Sequence, residues 1–193
     1  KTEDKICNYL DIPIQHSSQN IRQKMGRKGS KKDLKKLITK IKNNIPDIVL
    51  RTSLIVGFPG EQESDFKNLL DFVKEVKFDR LGVFKYSREE DTAAFHMDGQ
   101  ISDPVKQKRY EKVMELQRNI AYDNNQKFVN KKLEVVITEK KDKYFIARSQ
   151  YDAPEIDNQI YVEGNNLEIG EFVHCKVKEA YEYDLFARVI EES

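Results

Sequence analysis

The segment 50–61, with the sequence LRTSLIVGFPGE, holds the residues best suited to binding a small molecule. Its run 54–56 is apolar and does not alternate, which is typical of a parallel strand buried on both faces. The turn 57–60 follows, and its two glycines leave backbone that a ligand can approach. A strand that passes through such a turn into a helix is a common ligand-binding corner of α/β sheets and barrels.

Two further runs are predicted to end at the same edge of the sheet. The first strand is predicted over residues 9–15, and the third over residues 80–86. The amide of Gln15 can hydrogen-bond a polar group of a ligand, whereas an aromatic such as Tyr86 at a strand end is commonly part of the core. We expect Gln15, Gly57 and Tyr86 to lie side by side.

The helices that position this edge are marked by apolar stripes on otherwise charged segments. A short helix is predicted to begin at a cap, Ser18 or Asn20. Longer helices are predicted over 31–44, over 65–77 and from 103 to about 126. Because strands and helices alternate three times, this part of the chain is predicted to form a parallel α/β sheet or barrel.

The pattern changes after residue 127. Five short β-rich runs, separated by Gly, Asn and Asp, lie at 133–138, 144–147, 160–162, 172–178 and 185–190. Five strands in about 60 residues are typical of a small closed barrel. The sequence therefore predicts two domains, 1–127 and 128–193.

Charge limits the partners that each part of the chain can bind. The whole chain has a net charge of +1, which predicts no overall attraction to nucleic acid or membrane. Residues 128–193 carry 9 Lys and Arg against 14 Asp and Glu, a net charge of −5, and the first part carries +6. A negatively charged barrel suits a basic partner better than it suits phosphates.

Composition also sets expectations about location and completeness. No apolar stretch reaches the roughly 18 residues that span a bilayer, and Cys7 and Cys175 lack the spacing of a metal site. We therefore expect a cytoplasmic protein whose own residues form no metal site. Because a run that needs a parallel neighbour begins already at residue 9, we expect the chain to be the later part of a longer polypeptide.

Four segments resemble the methylthiotransferase family of radical S-adenosylmethionine (SAM) enzymes. They are YLDIPIQH (9–16), LRTSLIVGFPGE (50–61), VFKYSREEDT (83–92) and RSQYDAPEID (148–157). The resemblance covers essentially the whole chain. It implies that residues 1–127 form the second half of a partial TIM-type barrel, with parallel strands and helices. Residues 128–193 would then form a TRAM domain, an all-β five-stranded barrel of OB-like shape.

The segment DAPEID points to one branch of this family, which methylthiolates the β-carbon of an aspartate in ribosomal protein twelve of the small subunit. The resemblance implies SAM and two 4Fe-4S clusters as cofactors of the full-length enzyme, and a reductant such as flavodoxin. The cysteine motifs that hold the clusters are absent from this chain, and Cys7 and Cys175 cannot replace them. The chain alone is therefore expected to lack both clusters and to be inactive.

The resemblance implies that SAM is bound by Gln15, Arg51, Gly57, Phe58 and Tyr86. The turn at Gly57 and Phe58 would line the adenine. Gln15 would bind the ribose or the methionine end, and Arg51 would pair with the carboxylate.

Several of these residues also have a purely structural interpretation. Gly57 would permit close packing of strand and helix, and Gln15 or His16 would brace the loop. Arg51 would form an ion pair inside the barrel. Glu61 is expected to be an acid in the first turn of the following helix, favoured there by the helix dipole.

An acidic loop in the second domain is the predicted substrate site. The resemblance implies that Asp152, Glu155 and Asp157 bind the basic ribosomal protein through complementary charge. The alternative is an ordinary acidic surface loop. The lysines of 31–42 lie mostly off the apolar stripe and are predicted to form a solvated helix face.

Two other functions stay open from the sequence. A tRNA adenosine methylthiotransferase of the same family is one, although a basic TRAM domain without the DAPEID segment is expected there, so that tRNA is not the favoured partner. The other is a non-catalytic RNA-binding module built on the barrel. The sequence contains no stripe of aromatic and basic residues that would support this alternative.

Overall fold

The computed structural model of the chain describes residues 6–190. The described residues form two compact units, 10–117 and 118–190 together with 6–9. The elements up to residue 126 are, in chain order, β1 (Tyr9–Asp11), α1 (Gln19–Lys24), α2 (Lys31–Asn44), β2 (Val49–Val56), α3 (Glu63–Val76), β3 (Arg80–Lys85), a 3-10 helix (Ala93–His96) and α4 (Asp103–Gln126). Helix α4 contributes to both units, and the domain boundary at residue 128 stays a prediction.

The first three strands form one sheet in the order β1-β2-β3. Strands β2 and β3 are parallel over six residue pairs. A parallel bridge between Gln15 and Leu54 continues the pairing of the first run with β2 beyond the end of β1. Strands joined through helices confirm the predicted α/β architecture.

The central strand β2 is buried on one face rather than on both, which corrects the expectation from its sequence. Leu54 and Val56 are buried completely, whereas Arg51, Ser53 and Ile55 are half-buried on the other face. The apolar run 54–56 hid this alternation, because Ile55 is apolar although it lies on the more open face.

Helices α2 and α3 form as their apolar stripes predict. Helix α2 has the predicted bounds and begins with a capping box, in which Ser30 and Asp33 satisfy each other's backbone N–H groups. Helix α3 begins two residues before the predicted Asp65, because Gln62 takes the capping position and Asp65 completes its capping box.

Strand β1 is shorter than the predicted run 9–15. Pro13 has no backbone N–H for a ladder, and Gln15 has a φ of 69°, in the left-handed region. The regular strand therefore ends at Asp11, although the Ile12 N–H still donates to the carbonyl of Arg51 at 2.9 Å, and a bridge to β2 forms again at Gln15.

The second part of the chain forms a closed five-stranded barrel. Its strands are β4 (Lys132–Lys140), β5 (Phe145–Ser149), β6 (Gln159–Glu163), β7 (Phe172–Ala180) and β8 (Asp184–Val189), in the closed order β4-β5-β6-β8-β7. Only β6 and β8 pair in parallel. Burial raises the pKa of the Cys175 thiol in the barrel core to about 11. The predicted small barrel is confirmed.

Within residues 6–190, every helix is too short or too polar to cross a membrane.

Candidate functional site

The carboxyl ends of the parallel strands lie along one edge of the sheet, and Gln15, Gly57 and Tyr86 stand there. The Ile55 N–H donates to the carbonyl of Gln15 at 2.7 Å, and the Tyr86 N–H donates to the carbonyl of Val56 at 2.9 Å. Gly57 follows Val56 directly in the chain. The structure therefore brings these three residues together at the edge where the sequence analysis expects them.

Phe58 and Tyr86 form a small apolar cluster beside this edge. Their ring centroids are 5.2 Å apart and the ring planes meet at 68°, an edge-to-face arrangement. Ile21 of α1 is completely buried in the same cluster. Phe58 thus packs inside the protein, and its contact with a ligand stays a prediction.

Gly57 lies close to helix α4. Its φ of 75° is in the left-handed region, which favours glycine. A Cβ built on Gly57 would overlap Cγ of Lys106 and would lie 3.2 Å from Cβ of Lys106. The missing side chain therefore makes room for α4. This close packing against a helix is the structural role that the sequence analysis considered for Gly57.

Glu61 is the polar centre of the site. It is buried, and its Oε2 accepts hydrogen bonds from the Gly57 N–H and from Nη1 of Arg109, the latter at 2.9 Å. Its Oε1 lies 3.2 Å from Nε2 of His16. Nδ1 of His16 accepts from the Ser18 N–H at 2.9 Å, so Nε2 carries the proton and donates to Glu61.

This geometry corrects the expected role of Glu61. Helix α3 begins at Glu63, and the acids of its first turn are Glu63 and Asp65. Glu61 precedes the helix, and its carboxylate reaches back to the turn. The expectation from sequence was wrong because an acid two residues before a helix looks like a first-turn acid when the capping residue is not identified.

Arg109 and Lys106 are residues of the site that the sequence analysis missed. Both are buried on α4. They continue a stripe with three- and four-residue spacing through Val113 and Gln117, which are also buried. Two cations in a buried stripe require partners, and that requirement is the signal that could have identified them.

Tyr86 presents an unpaired polar atom. Its hydroxyl is buried and has no hydrogen-bond partner among the residues that the structure describes. Nζ of Lys106 lies 5.5 Å from the centroid of the same ring, and it also pairs with Asp103 at 3.1 Å. A buried hydroxyl without a partner carries a free-energy cost, and a polar ligand at this edge would remove that cost.

Arg51 is not brought to this edge. It lies near the beginning of β2, whereas Gly57 follows the end of that strand. Its Nη1 is 2.6 Å from Oδ2 of Asp11. The contact is the ion pair that the sequence analysis considered as an alternative, and cofactor binding by Arg51 stays a prediction.

The acidic loop of the barrel combines structural and exposed carboxylates. Asp152 is buried and accepts a hydrogen bond from Oγ of Ser149 at 2.9 Å. Asp157 is half-buried and accepts from the Ala153 N–H at 2.9 Å. Glu155 is exposed and has a φ of 66°. Of the three predicted substrate-binding residues, Glu155 is therefore the most open to a partner.

Asp65 ties the start of α1 to α3. Burial raises its pKa, but hydrogen bonds from the Ser18 hydroxyl, the Gln62 N–H and the Asn20 amide together outweigh burial and lower the pKa below its usual value. The carboxylate is therefore held in its charged form and fixes the loop that follows Gln15.

Known families match both parts of the chain. Residues 2–73 match the radical SAM superfamily, and residues 129–190 match the TRAM domain. The chain therefore contains a segment of the radical SAM superfamily and a TRAM domain.

Individual relatives are more specific. Proteins called ribosomal protein uS12 methylthiotransferase RimO are similar over the whole chain. That of Clostridioides difficile is 50% identical over 194 residues, which cover 100% of this chain and 44% of the relative. That of Trichlorobacter lovleyi is 47% identical over 195 residues, which cover 100% of this chain and 43% of the relative. That of Lachnoclostridium phytofermentans is 51% identical over 188 residues, 96% of this chain and 43% of the relative. The chain thus spans less than half the length of these relatives.

Proposed function

We propose that the chain is part of a radical SAM methylthiotransferase that modifies an aspartate of ribosomal protein uS12 on its β-carbon. The observation that carries the proposal is the similarity to the RimO proteins, which covers 100% of this chain, and therefore both of its parts, at 47% and 50% identity. A protein that acts on a ribosomal protein would work in the cytoplasm, and a reductant such as flavodoxin would supply its electrons.

The edge at Gln15, Gly57, Phe58 and Tyr86 is the proposed SAM site. Bound SAM supplies a radical precursor and a methyl group to the reaction. The chain's own contribution would be to hold the ligand against the backbone of the turn. The Tyr86 hydroxyl fits this role because it is buried at the edge without a partner in residues 6–190.

Glu61 would act on SAM binding only through the turn. Its carboxylate holds the Gly57 N–H, Arg109 and His16 at one point. The backbone that faces the ligand is thereby fixed before the ligand arrives, which reduces the entropy lost on binding.

Iron–sulfur clusters do not fit the residues of this chain. A 4Fe-4S cluster needs several thiolates in close array, whereas the chain has only Cys7 and Cys175, of which Cys175 is buried in the barrel core. The cluster ligands would belong to a part of the enzyme outside this chain, and the chain alone would be inactive.

The acidic loop at Asp152, Glu155 and Asp157 is the proposed contact with the ribosomal protein. Its exposed member Glu155 lies in a region, 128–193, with a net charge of −5. Ribosomal proteins are generally basic because they bind RNA, so charge complementarity would favour the encounter.

The test is an assay of the full-length enzyme, with reconstituted clusters, SAM and a reductant, on purified uS12 and on tRNA in parallel. Mass spectrometry of the products is expected to find one methylthio group on an aspartate of uS12 and none on tRNA. Modification of adenosine in tRNA without modification of uS12 would replace this proposal with the tRNA alternative.

A further inference from the structure

One segment of the chain is far more basic than its surroundings. Residues 22–44 contain ten Lys and Arg and a single acid, Asp33, a net charge of +9. The following residues, 45–127, carry a net charge of −2. The positive charge of the first part of the chain is therefore concentrated in α1, α2 and the loop between them.

Some of these cations stabilise the fold and face α3. Lys35 forms an ion pair with Glu75. The Lys31 amine donates to the carbonyl of Asn68 at 3.3 Å, and the Lys42 amine donates to the carbonyl of Val76 at 2.9 Å. These three lysines therefore have partners within the fold, and their presence requires no external ligand.

Three other lysines of α2 have no such role. Lys32, Lys36 and Lys40 are exposed, and within residues 6–190 their amines form no hydrogen bond or ion pair. Hydrogen bonds from Ser30 lower the pKa of the nearby Asp33, and the charges of Lys36 and Lys32 contribute less. The spacing of four residues places the three amines on one stripe, about 6 Å apart along the axis.

The surface around this stripe is polar. Lys32, Lys36 and Lys40 line a shallow depression together with Thr39, Asn43, Asn44 and the paired Lys35. The stripe lies opposite the buried Ile38. Leu37 is the large apolar side chain that α2 exposes, and it lies on a flank of the helix. We name the surface formed by Lys32, Lys36, Thr39, Lys40 and Asn43 the lysine face.

The basic character continues from α2 towards the proposed SAM site. Nη1 of Arg27 donates to the carbonyl of Pro13 at 2.8 Å, which holds the loop against the run that ends at Gln15. The Lys24 amine lies against Gly60. The segment of high positive charge thus begins beside the turn and extends along α2.

We infer that the lysine face binds the phosphodiester backbone of RNA. Protein interfaces are depleted of lysine at their centres and enriched in aromatic residues, whereas nucleic-acid interfaces are polar and strongly positive. A row of regularly spaced amines without an apolar centre matches a row of phosphates rather than an acidic protein surface. Such a surface neutralises phosphates and releases counterions.

The inference rests on the proposed function for the identity of the RNA. Because uS12 is a component of the small ribosomal subunit, the RNA beside it is the ribosomal RNA of that subunit. The enzyme therefore recognises uS12 within an RNA-containing particle, and the lysine face binds the RNA of that particle.

The first test measures equilibrium binding of the full-length enzyme to isolated small subunits over a range of salt concentrations. The variant replaces Lys32, Lys36 and Lys40 with Gln. Its affinity at low salt is expected to fall by about tenfold or more, and the slope of log K against log salt is expected to decrease by about 2 to 3. Turnover is not required, so this result does not depend on the proposed activity.

A matched control removes three positive charges elsewhere. Lys67, Lys74 and Lys112 are exposed on α3 and α4, and their replacement with Gln changes the net charge equally. The control is expected to bind subunits within about twofold of the wild type. Equal losses in the two variants, or wild-type binding that does not depend on salt, would contradict the inference.

The second test compares methylthiolation of uS12 in subunits with that of the free protein. The triple variant is expected to lose about tenfold or more in kcat/KM on subunits and to change by less than about twofold on free uS12. An equal loss on both substrates would overturn the inference. A loss seen only with a protein reductant and abolished by a chemical one would mean that the face binds an acidic electron donor instead.

If the wild type modifies neither substrate, the proposed function fails, while the binding measurement still decides whether the face contacts RNA.

Discussion

Among single residues, Glu61 determines the geometry of the edge. Its buried carboxylate accepts from the Gly57 N–H, from Arg109 on α4 and from His16 at the end of the first run. Three distant segments of the chain therefore meet at one side chain. Arg109 is 48 residues from Glu61, and no local pattern connects the two.

Replacing Glu61 with Gln is expected to destabilise the chain strongly. The amide keeps the size of the side chain but removes the negative charge that Arg109 requires. Its NH2 group would also face N–H groups that now donate to the carboxylate. The free energy of unfolding, measured by urea denaturation, is expected to fall by about 3 to 5 kcal/mol, the usual effect of removing one partner of a buried pair.

Glu63 provides a control for this substitution. It lies 3.5 Å from Nη2 of the same Arg109, but its side chain is exposed. Glu63→Gln is expected to cost less than about 1 kcal/mol. Similar losses from the two substitutions would show that the buried carboxylate has no special role.

Gly57 is expected to tolerate no side chain. Gly57→Ala introduces both a left-handed backbone at a non-glycine residue and an overlap with Lys106. Gly26 has a φ of 69° with open space where its Cβ would lie, so Gly26→Ala introduces the backbone effect alone. Gly26→Ala is expected to cost about 1 to 2 kcal/mol, and Gly57→Ala about 1 to 3 kcal/mol more. Equal costs would mean that α4 moves away freely.

Among the elements, the contact of α1 with α3 is sensitive to pH. Ser18 occupies the N-cap position of α1, and its hydroxyl donates to Asp65 in the first turn of α3. Because the pKa of Asp65 is lowered by its hydrogen bonds, the contact stabilises the fold above the usual aspartate pKa. That stabilisation is lost as the pH falls through the lowered value.

Ser18→Ala is therefore expected to destabilise the chain by about 1 to 2 kcal/mol at pH 7. The difference from the wild type is expected to shrink as the pH falls below the usual aspartate pKa of about 4 and then through the lowered pKa of Asp65 in the folded chain. Ser17→Ala is the control, because the Ser17 hydroxyl donates to the uncharged amide of Asn68. A Ser18→Ala effect that is as independent of pH as the Ser17→Ala effect would contradict this assignment. Urea denaturation at several pH values measures both.

The sequence predicted those elements whose signals are local. The predicted bounds of helix α2 were correct at both ends, because Ser30 caps its start and Pro46 follows its last apolar positions. The barrel strands were identified by short β-rich runs between turn residues. The 3-10 helix at 93–96 was missed, because four residues within a polar loop carry no periodic signal.

The site was predicted less completely than the fold. Gln15, Gly57 and Tyr86 were located correctly, because each lies at or just beyond the end of a predicted strand and parallel strands end at one edge. Lys106 and Arg109 were not, because helix–sheet packing across about 50 residues is not encoded in any short window. Arg51 was assigned by resemblance, whereas its contact with Asp11 depends on the pairing of two strands.

At the scale of the whole molecule, the two parts of the chain differ in charge as they differ in proposed partner. Residues 1–127 carry +6, because the +9 of the segment 22–44 outweighs a small negative charge on the rest, and residues 128–193 carry −5. We propose SAM and RNA as the partners of the first part and a basic protein as the partner of the second. The small net charge of +1 results from this division and not from an even mixture.

We propose above all that the edge at Gln15, Gly57 and Tyr86 forms part of a SAM site. A crystal structure of the full-length enzyme with reconstituted clusters and bound SAM tests it most directly. We predict that SAM contacts all three residues and that the Tyr86 hydroxyl gains a polar partner within about 3.2 Å. SAM bound elsewhere, with the Tyr86 hydroxyl still buried and unpaired, would contradict the claim.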